Sequence, residues 1–358
     1  MKINRVLVVI LVVLLVGAGV ATVFSGEGSL NDEPKENVSI AITGDIMFAR
    51  NMPGVLSYDS SPFYGVSNVT SKVDLLIINF ENAATSSYGA VKGDVPLNCD
   101  PSYVPLAKGN NNTVAALANN HVCDYGIGGM NDTIKHVSDA GMIPIGAGAN
   151  EDAAHEPANV MIKGRNITVL NYMDSNNFAE YGYEVMPYAN GSSPGYSAYD
   201  SEVAQRQINE SRQNGSDFII VYLHFGNEYS RSPNEDQVRI AHELIDDGAD
   251  VVVGTHPHVT QGIEMYKGKP IFYSLGDFMF DLVREDTLTA YIVQFDLVND
   301  TCECTVYPVY IYGYLPYFMD PDSGTALLNE LSPQCDDLNI TDEGTGKLIF
   351  NLTESDVN

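Results

Sequence analysis

Basic residues are scarce in this chain. Its 358 residues hold 18 lysines and arginines against 47 aspartates and glutamates, a formal charge of −29. Duplex DNA and RNA are thereby excluded as general partners, because such binding depends on basic side chains that neutralise phosphates. An acidic surface suits high salt or a polyanion-rich cell exterior. Cysteine is sparse too, and Cys99, Cys123, Cys302, Cys304 and Cys335 lack the paired spacing of a zinc finger. No similarity recurs at solenoid period. Disorder is excluded by the 44% hydrophobic content, enough to pack one large domain or two ordinary ones.

One long apolar run is present, VLVVILVVLLVGAGVATVF at residues 6–24, after Lys2 and Arg5. It exceeds the usual apolar core of a cleaved signal and suffices for a slightly short membrane-spanning helix. Residues 1–24 therefore read as a retained anchor, with a cleaved signal as the alternative. The flanking positive charges place the N-terminus inside, so the expected location is the cell membrane, single-pass, with the C-terminal domain extracellular. Residues 25–36, SGEGSLNDEPKE, read as a polar tether. Sequons at Asn37, Asn68, Asn131, Asn166, Asn209, Asn299 and Asn339 agree with export and glycosylation. An exported domain with five cysteines has room for two disulfides and one free thiol, and Cys302 or Cys304 is expected to pair with Cys335.

From residue 37 on, strands alternate with helices. VSIAITGD alternates, and VDLLIINFEN is a continuous apolar run of the kind a strand buried on both faces shows. Helices are expected near 128–140, 202–213 and 234–247, the last with Ile240, Leu244 and Ile245 on one face. MYKGKPIFYSLGDF reads as a hairpin turning at Lys267 and Gly268, and TLTAYIVQFDLVND with CTVYPVYIY as a second. After Asp300 a hairpin and then a polar tail are expected, giving a main domain at 37–300 and a C-terminal segment at 301–358. Periodicity alone gives a mixed α/β fold.

Polar residues gather where apolar strands stop. Asp45, Glu81, His224 and His256 each lie within a few residues of a strand's carboxyl end, the edge where α/β sheets form ligand sites. In GTHPHVTQG, His256 and His258 flank a stiffening Pro257. On extended backbone both imidazoles face the same way, which fits either packing or metal chemistry. Asn120, His121 and Asp124 in ANNHVCDYG, and Glu228 in LHFGNEY, complete the set. Carboxylate, amide and imidazole donors together suit a borderline divalent ion such as manganese, iron or zinc. His136 and His242 fall inside expected helices and His155 in a polar loop, where structural roles are expected.

The ordered segments TGDIMFAR, NFEN, ANNHVCDYG, LHFGNEY, GTHPHVTQG and YSLGDF closely resemble the CapA family, linked to poly-gamma-glutamate capsule synthesis. That family is similar to the calcineurin-like metallophosphoesterases. The resemblance spans about residues 40–281 and implies a four-layer α/β/β/α sandwich. Carried over position by position, it implies Asp45 as the first acid, Glu81 as an acid bridging two metals, Asn120 as an amide ligand, and His224, His256 and His258 as imidazole ligands. His121 is implied as the non-ligand histidine that protonates a leaving group or steadies developing charge, and Asp124 is placed to orient it.

Two departures shape the expectation. Met47 stands where the superfamily places a histidine ligand, and Glu81 is one methylene longer than the usual aspartate. One position keeps Glu81, Asn120, His224 and His256, while the other keeps Asp45, Glu81 and His258, so one tight metal and one weak or absent metal are expected. Three roles are open for Arg50: facing a substrate anion, replacing the charge of a missing metal, or lying on the surface. Glu228 is read as contacting metal or substrate, and Asp277 as a polar turn residue. The resemblance implies an anchored extracellular protein acting in poly-gamma-glutamate or related capsule polymer synthesis or export through a metal-dependent hydrolase-type site, with an anionic polymer or phosphoester as substrate and other capsule-synthesis membrane proteins nearby. The alternatives are a non-catalytic polymer-holding protein with a degenerate site, and an exported nucleotidase or phosphodiesterase.

Overall fold

A computed structural model of the chain describes residues 35–56, 61–109, 112–176, 182, 185–333 and 335–352. The apolar run at 6–24 and the tether up to residue 34 lie outside them. Among the described residues, no helix is long and apolar enough to cross a membrane.

Strands β1 (Val38–Ile46), β2 (Leu75–Phe80), β3 (Asn112–Ala116) and β4 (Ile143–Ile145) run parallel in that spatial order. β2 is buried at every position, which is why its sequence is apolar except at Asn79 instead of alternating. A second sheet has a parallel centre of β6 (Arg165–Met173), β7 (Phe218–His224), β8 (Val251–Thr255) and β10 (Lys269–Phe272), with antiparallel edges β5 (Ala158–Ile162) and β9 (Ile263–Tyr266). β9 and β10 are the expected hairpin. Its turn residues Lys267 and Gly268 have φ of 50° and 74°, the left-handed pair that a two-residue hairpin needs.

The chain then returns to the first sheet. β11 (Asp277–Met279) lies parallel to β1, and β12 (Thr289–Val298) and β13 (Thr301–Tyr312) extend the sheet antiparallel beyond it. β14 (Leu315–Phe318), β15 (Asn339–Ile340) and β16 (Gly346–Asn351) complete it. After Asp300 the expected hairpin is present as β13 and β14, but the stretch that follows, expected to be a polar tail, folds as a helix and two further strands. β16 pairs with β13, and Leu348 and Phe350 are buried while Lys347 and Ile349 face out.

Strand alternation assigns each face to a layer. Ile40, Ile42, Ile77 and Phe295 from the first sheet meet Val169, Ile220, Tyr222 and Val253 from the second in one apolar core. On the first sheet's other face, Ala41, Leu76 and Ile78 pack with Met130 and Val137 of α1 (Gly126–Asp139). On the second sheet's other face, Val221, Leu223 and Val252 pack with Ile208 of α2 (Ser201–Gln213) and with Ile240 and Leu244 of α3 (Glu235–Asp246). Asn234 and Gln237 close α3 with a reciprocal capping box. The result is a four-layer α/β/β/α sandwich, as expected. Tyr222 ties the two sheets together, its hydroxyl donating to the Thr43 carbonyl at 2.8 Å.

The cysteine expectation is corrected. All five are buried free thiols. Cys302 and Cys304 lie on the same face of β13 and pack, with Cys335, inside the core between the sheets. There they serve as small apolar side chains. Burial pushes the Cys99 and Cys123 thiols up to about 12, far from the reactive thiolate form.

Candidate metal centre

Because the central strands of each sheet are parallel, their carboxyl ends bring distant segments to one edge. Asp45 is near the end of β1, Glu81 follows β2, Asn120 and His121 follow β3, His224 ends β7, and His256 follows β8. All six are buried. Gly44 makes one approach possible: a Cβ there would lie 1.8 Å from the Gly276 carbonyl oxygen, across the contact that pairs Asp45 with Asp277.

The donors fall into overlapping groups. Glu81, His224 and His256 offer ligand atoms within 4.8 Å of one another, as do Asp45, Glu81 and His258, and Glu228, His256 and His258. Glu81 is common to the first two. Its Oε1 lies 3.8 Å from His224 Nε2 and 3.9 Å from His258 Nε2, and it has no hydrogen-bond partner although fully buried. An unsatisfied, buried carboxylate oxygen between two imidazoles is costly as it stands and fits a divalent cation. Asn120 Oδ1 meets His224 Nε2 at 2.9 Å, so the amide oxygen faces the same point as the first group. These residues therefore fit the expected metal.

The electrostatics agree with a site built for positive charge. Burial, reinforced by Asp45 and Asp277, drives the Glu81 carboxyl well above its ordinary range. Burial and the neighbouring imidazoles hold His224 and His256 well below theirs, in the neutral form a ligand requires. Burial also lowers His258, but Asp277 at 2.8 Å from its Nδ1 outweighs this and raises it to about 9.

Asp277 itself, expected to be a polar turn residue, is buried in β11 and grips a histidine of the site. That carboxylate fixes which ring nitrogen of His258 faces Glu81.

The pair of histidines is not on extended backbone. The chain leaves β8 at Thr255 and turns, with φ of 97° at His256 and 58° at His258. Left-handed backbone at two non-glycine residues stores strain that the surrounding packing must hold. Their rings are 6.0 Å apart and tilted by 54°, and they divide between the first two donor groups.

His121 lines a cavity of about 390 Å³ together with Arg50, Lys92, Glu228, His256 and His258. Its Nδ1 lies 2.7 Å from Asp124 Oδ2, which also accepts the Leu97 backbone N–H at 2.7 Å. Burial lowers the His121 pKa against the pull of Asp124. Arg50 is partly exposed, ion-paired with Asp281 and stacked over Phe280 at 5.4 Å. Glu228 is exposed on the cavity wall. Met47 turns away into the apolar core, where its Sδ accepts the Ala49 N–H at 2.8 Å.

Three further residues belong to the site. Asn79 donates to Asp45 Oδ1 at 2.7 Å and to Glu81 Oε2 at 3.2 Å, and it accepts from Asn119 at 3.0 Å. Its signal was an amide inside the otherwise apolar LLIINF. Asn119 belongs to the same Asn-Asn doublet as Asn120. Lys92 donates to the Asn120 carbonyl at 3.2 Å and lies 3.8 Å from Asp124, and no spacing in the sequence marks it. His136 and His242 sit within helices, and His155 bonds backbone carbonyls.

The chain is 32% identical over 327 residues to the PGA biosynthesis protein CapA of Bacillus subtilis, covering 89% of this chain and 83% of that protein. It is 30% identical to the capsule biosynthesis protein CapA of Bacillus anthracis, over 77% of this chain and 68% of that one. A probable polyglutamine synthesis accessory protein of Mycobacterium tuberculosis is 31% identical over 58% of this chain and 56% of its own length. Fainter likeness extends to the crystal structures of TT1561 from Thermus thermophilus, with TM-score 0.41, 10% identity and coverage of 72% and 94% of the two chains, and of Vps29 from Chaetomium thermophilum, with TM-score 0.35, 10% identity and coverage of 89% and 98%. The family described as bacterial capsule synthesis protein PGA_cap matches residues 39–282, and with relatives of such identity and span the chain belongs to that family.

Proposed function

We propose that this protein acts in the synthesis or export of poly-gamma-glutamate or a related capsule polymer, through a metal-dependent hydrolase-type site on an anchored, extracellular domain. The observation that carries the proposal is the unpartnered Glu81 oxygen shared by two donor groups, whose His256 and His258 line a cavity that also presents His121. Asp45, Glu81, Asn120, His224, His256 and His258 would hold the metal. A divalent ion of the manganese, iron or zinc kind supplies Lewis acidity and charge neutralisation when bound, more tightly at one position than at the other.

The chain's own residues supply proton handling and orientation. Asp124 holds His121 Nδ1 at 2.7 Å, leaving Nε2 as the atom that takes up or delivers a proton on the cavity side. Burial keeps the resting ring neutral, while Asp124 stabilises the imidazolium that forms during transfer. Asn79 locks Asp45 and Glu81 relative to each other, and Asp277 locks His258. Arg50 on the cavity lining meets an anionic substrate group. The substrate is a phosphoester or a bond within an anionic polymer, and the neighbours in the membrane are other capsule-synthesis proteins.

One observation favours a second reading. With Met47 withdrawn into the core, one donor group is a ligand short, as in a site kept for holding a polymer instead of cleaving it. The metal-loaded full-length chain, assayed on an activated phosphodiester and on gamma-glutamyl oligomers, separates the two. Turnover that disappears in His121→Ala with metal content intact supports hydrolysis. Polymer retention without turnover supports holding. Protease accessibility of the domain on intact cells tests its extracellular placement.

A further inference from the structure

We infer that Glu228 is the fourth donor of the metal position formed by Asp45, Glu81 and His258, filling the place left vacant where Met47 stands. The inference rests on the metal-centre reading above. Met47 is fully buried among apolar side chains and its sulfur is already bonded to the Ala49 N–H, so it supplies nothing to the site. The position is then left with two carboxylates and one imidazole. A further carboxylate reaches His258: the Glu228 oxygen and the ligand nitrogens of His256 and His258 all lie within 4.8 Å of one another.

The loop carrying Glu228 is fastened to the histidine turn itself. Tyr229 N–H donates to the Pro257 carbonyl at 2.7 Å, and Tyr229 adopts φ of 61° to do so. Gly226, with φ of 97°, is packed so closely on Gln237 that a Cβ would lie 2.5 Å from its side chain. Independently of that loop, Glu81 Oε1 is buried and unpartnered 3.9 Å from His258 Nε2, marking the point at which the donors converge.

Exchanging a histidine for a glutamate changes the chemistry of the position. Three carboxylates and one imidazole form a harder, more anionic set than the Glu81, Asn120, His224 and His256 group. Such a set favours a hard divalent cation such as manganese. Glu228 is exposed, so this ligand sits on the solvent side and the position binds more weakly than the enclosed one.

The test is calorimetric titration of the metal-free full-length chain with Mn²⁺, with bound metal counted by elemental analysis. The wild type is expected to show two binding events of unequal affinity. Glu228→Gln should weaken the weaker event by roughly ten-fold or more and leave the tighter one intact. His224→Ala should do the reverse. A single event in the wild type, two unchanged events in Glu228→Gln, or equal loss from both would overturn the assignment while the metal centre stands. No binding in the wild type would overturn the metal reading and this inference together.

Discussion

Replacing His256 by alanine gives the most direct test of the metal centre, because this residue belongs to two of the three donor groups. A ligand that binds only the folded state stabilises it by RT ln(1 + [L]/Kd), about 2.7 kcal/mol at one hundred times Kd. For a unit the size of residues 36–358, with an unfolding entropy of roughly 2.1 cal/mol/K per residue, that corresponds to a rise in Tm of about 4 °C. Changing residues that merely support a metal ligand already costs roughly 10–100-fold in affinity, so removing the ligand is expected to cost at least about 100-fold. At the same metal concentration the variant then gains no more than about 0.4 kcal/mol, under about 1 °C. The assay is thermal unfolding of the full-length chain, metal-free and with Mn²⁺, Zn²⁺ or Fe²⁺. Equal metal-induced shifts in wild type and variant would refute the placement of the ligand, and no shift in the wild type with any of the three would refute the metal centre.

Asp124→Ala is expected to destabilise the fold by about 3–5 kcal/mol in urea titration, because it removes the carboxylate beside buried Lys92 and the acceptor of the Leu97 N–H, whereas a change near zero would show that Asp124 holds neither. Asp74 is pushed up by burial but pulled below its ordinary range by Lys163 and by the Ser39 N–H and hydroxyl. A lowered folded-state pKa contributes stability above the unfolded value near 3.8, and loses it as pH falls through the folded value. The stability gap between wild type and Asp74→Asn, followed by urea titration from pH 6 downward, should therefore be constant at first and close in acid; a gap independent of pH would contradict the assignment. Reduction should leave the mass unchanged, in contrast to the gain of two hydrogens per disulfide that oxidised pairs would show, and alkylation should reach five thiols only after unfolding.

Much of the site was legible because parallel strands place their carboxyl ends together. Asp45, Glu81, His224 and His256 could be read as neighbours from strand-end position alone, and the helices at Gly126–Asp139, Ser201–Gln213 and Glu235–Asp246 lie close to their periodic signals. Contacts between strands far apart in sequence were not legible. Asp277 looked like turn chemistry because its grip on His258 depends on β11 lying beside β1, a pairing that no local pattern encodes. The histidine turn was misjudged for the opposite reason: Pro257 suggested stiff extended chain, yet packing holds both neighbours at positive φ. The C-terminal elements did carry local signals. Asp320 caps the helix Pro321–Leu331, proline stands at its first turn, and β16 alternates between buried and exposed positions. High polarity across the segment masked them.

The distribution of charge bears on how an anionic polymer meets a chain carrying −29. At physiological salt, charges beyond about 8 Å are largely screened, so the surface repels as a whole only weakly and the outcome is set locally. The two basic groups lining the cavity are each matched by an acid, Arg50 by Asp281 and Lys92 by Asp124. Side chains alone therefore give the cavity no excess of positive charge, and Asp94 and Glu228 on its wall add negative charge. Divalent ions held by Asp45, Glu81 and the histidines would reverse that balance at one point only. Under the proposed function, a polymer carboxylate or phosphoester is then attracted where the metal ligands converge, with Arg50 beside them, and is not drawn to the rest of the surface. This favours contact with a single group or chain end over adsorption along a groove, and it makes polymer recognition and metal occupancy one property of the site.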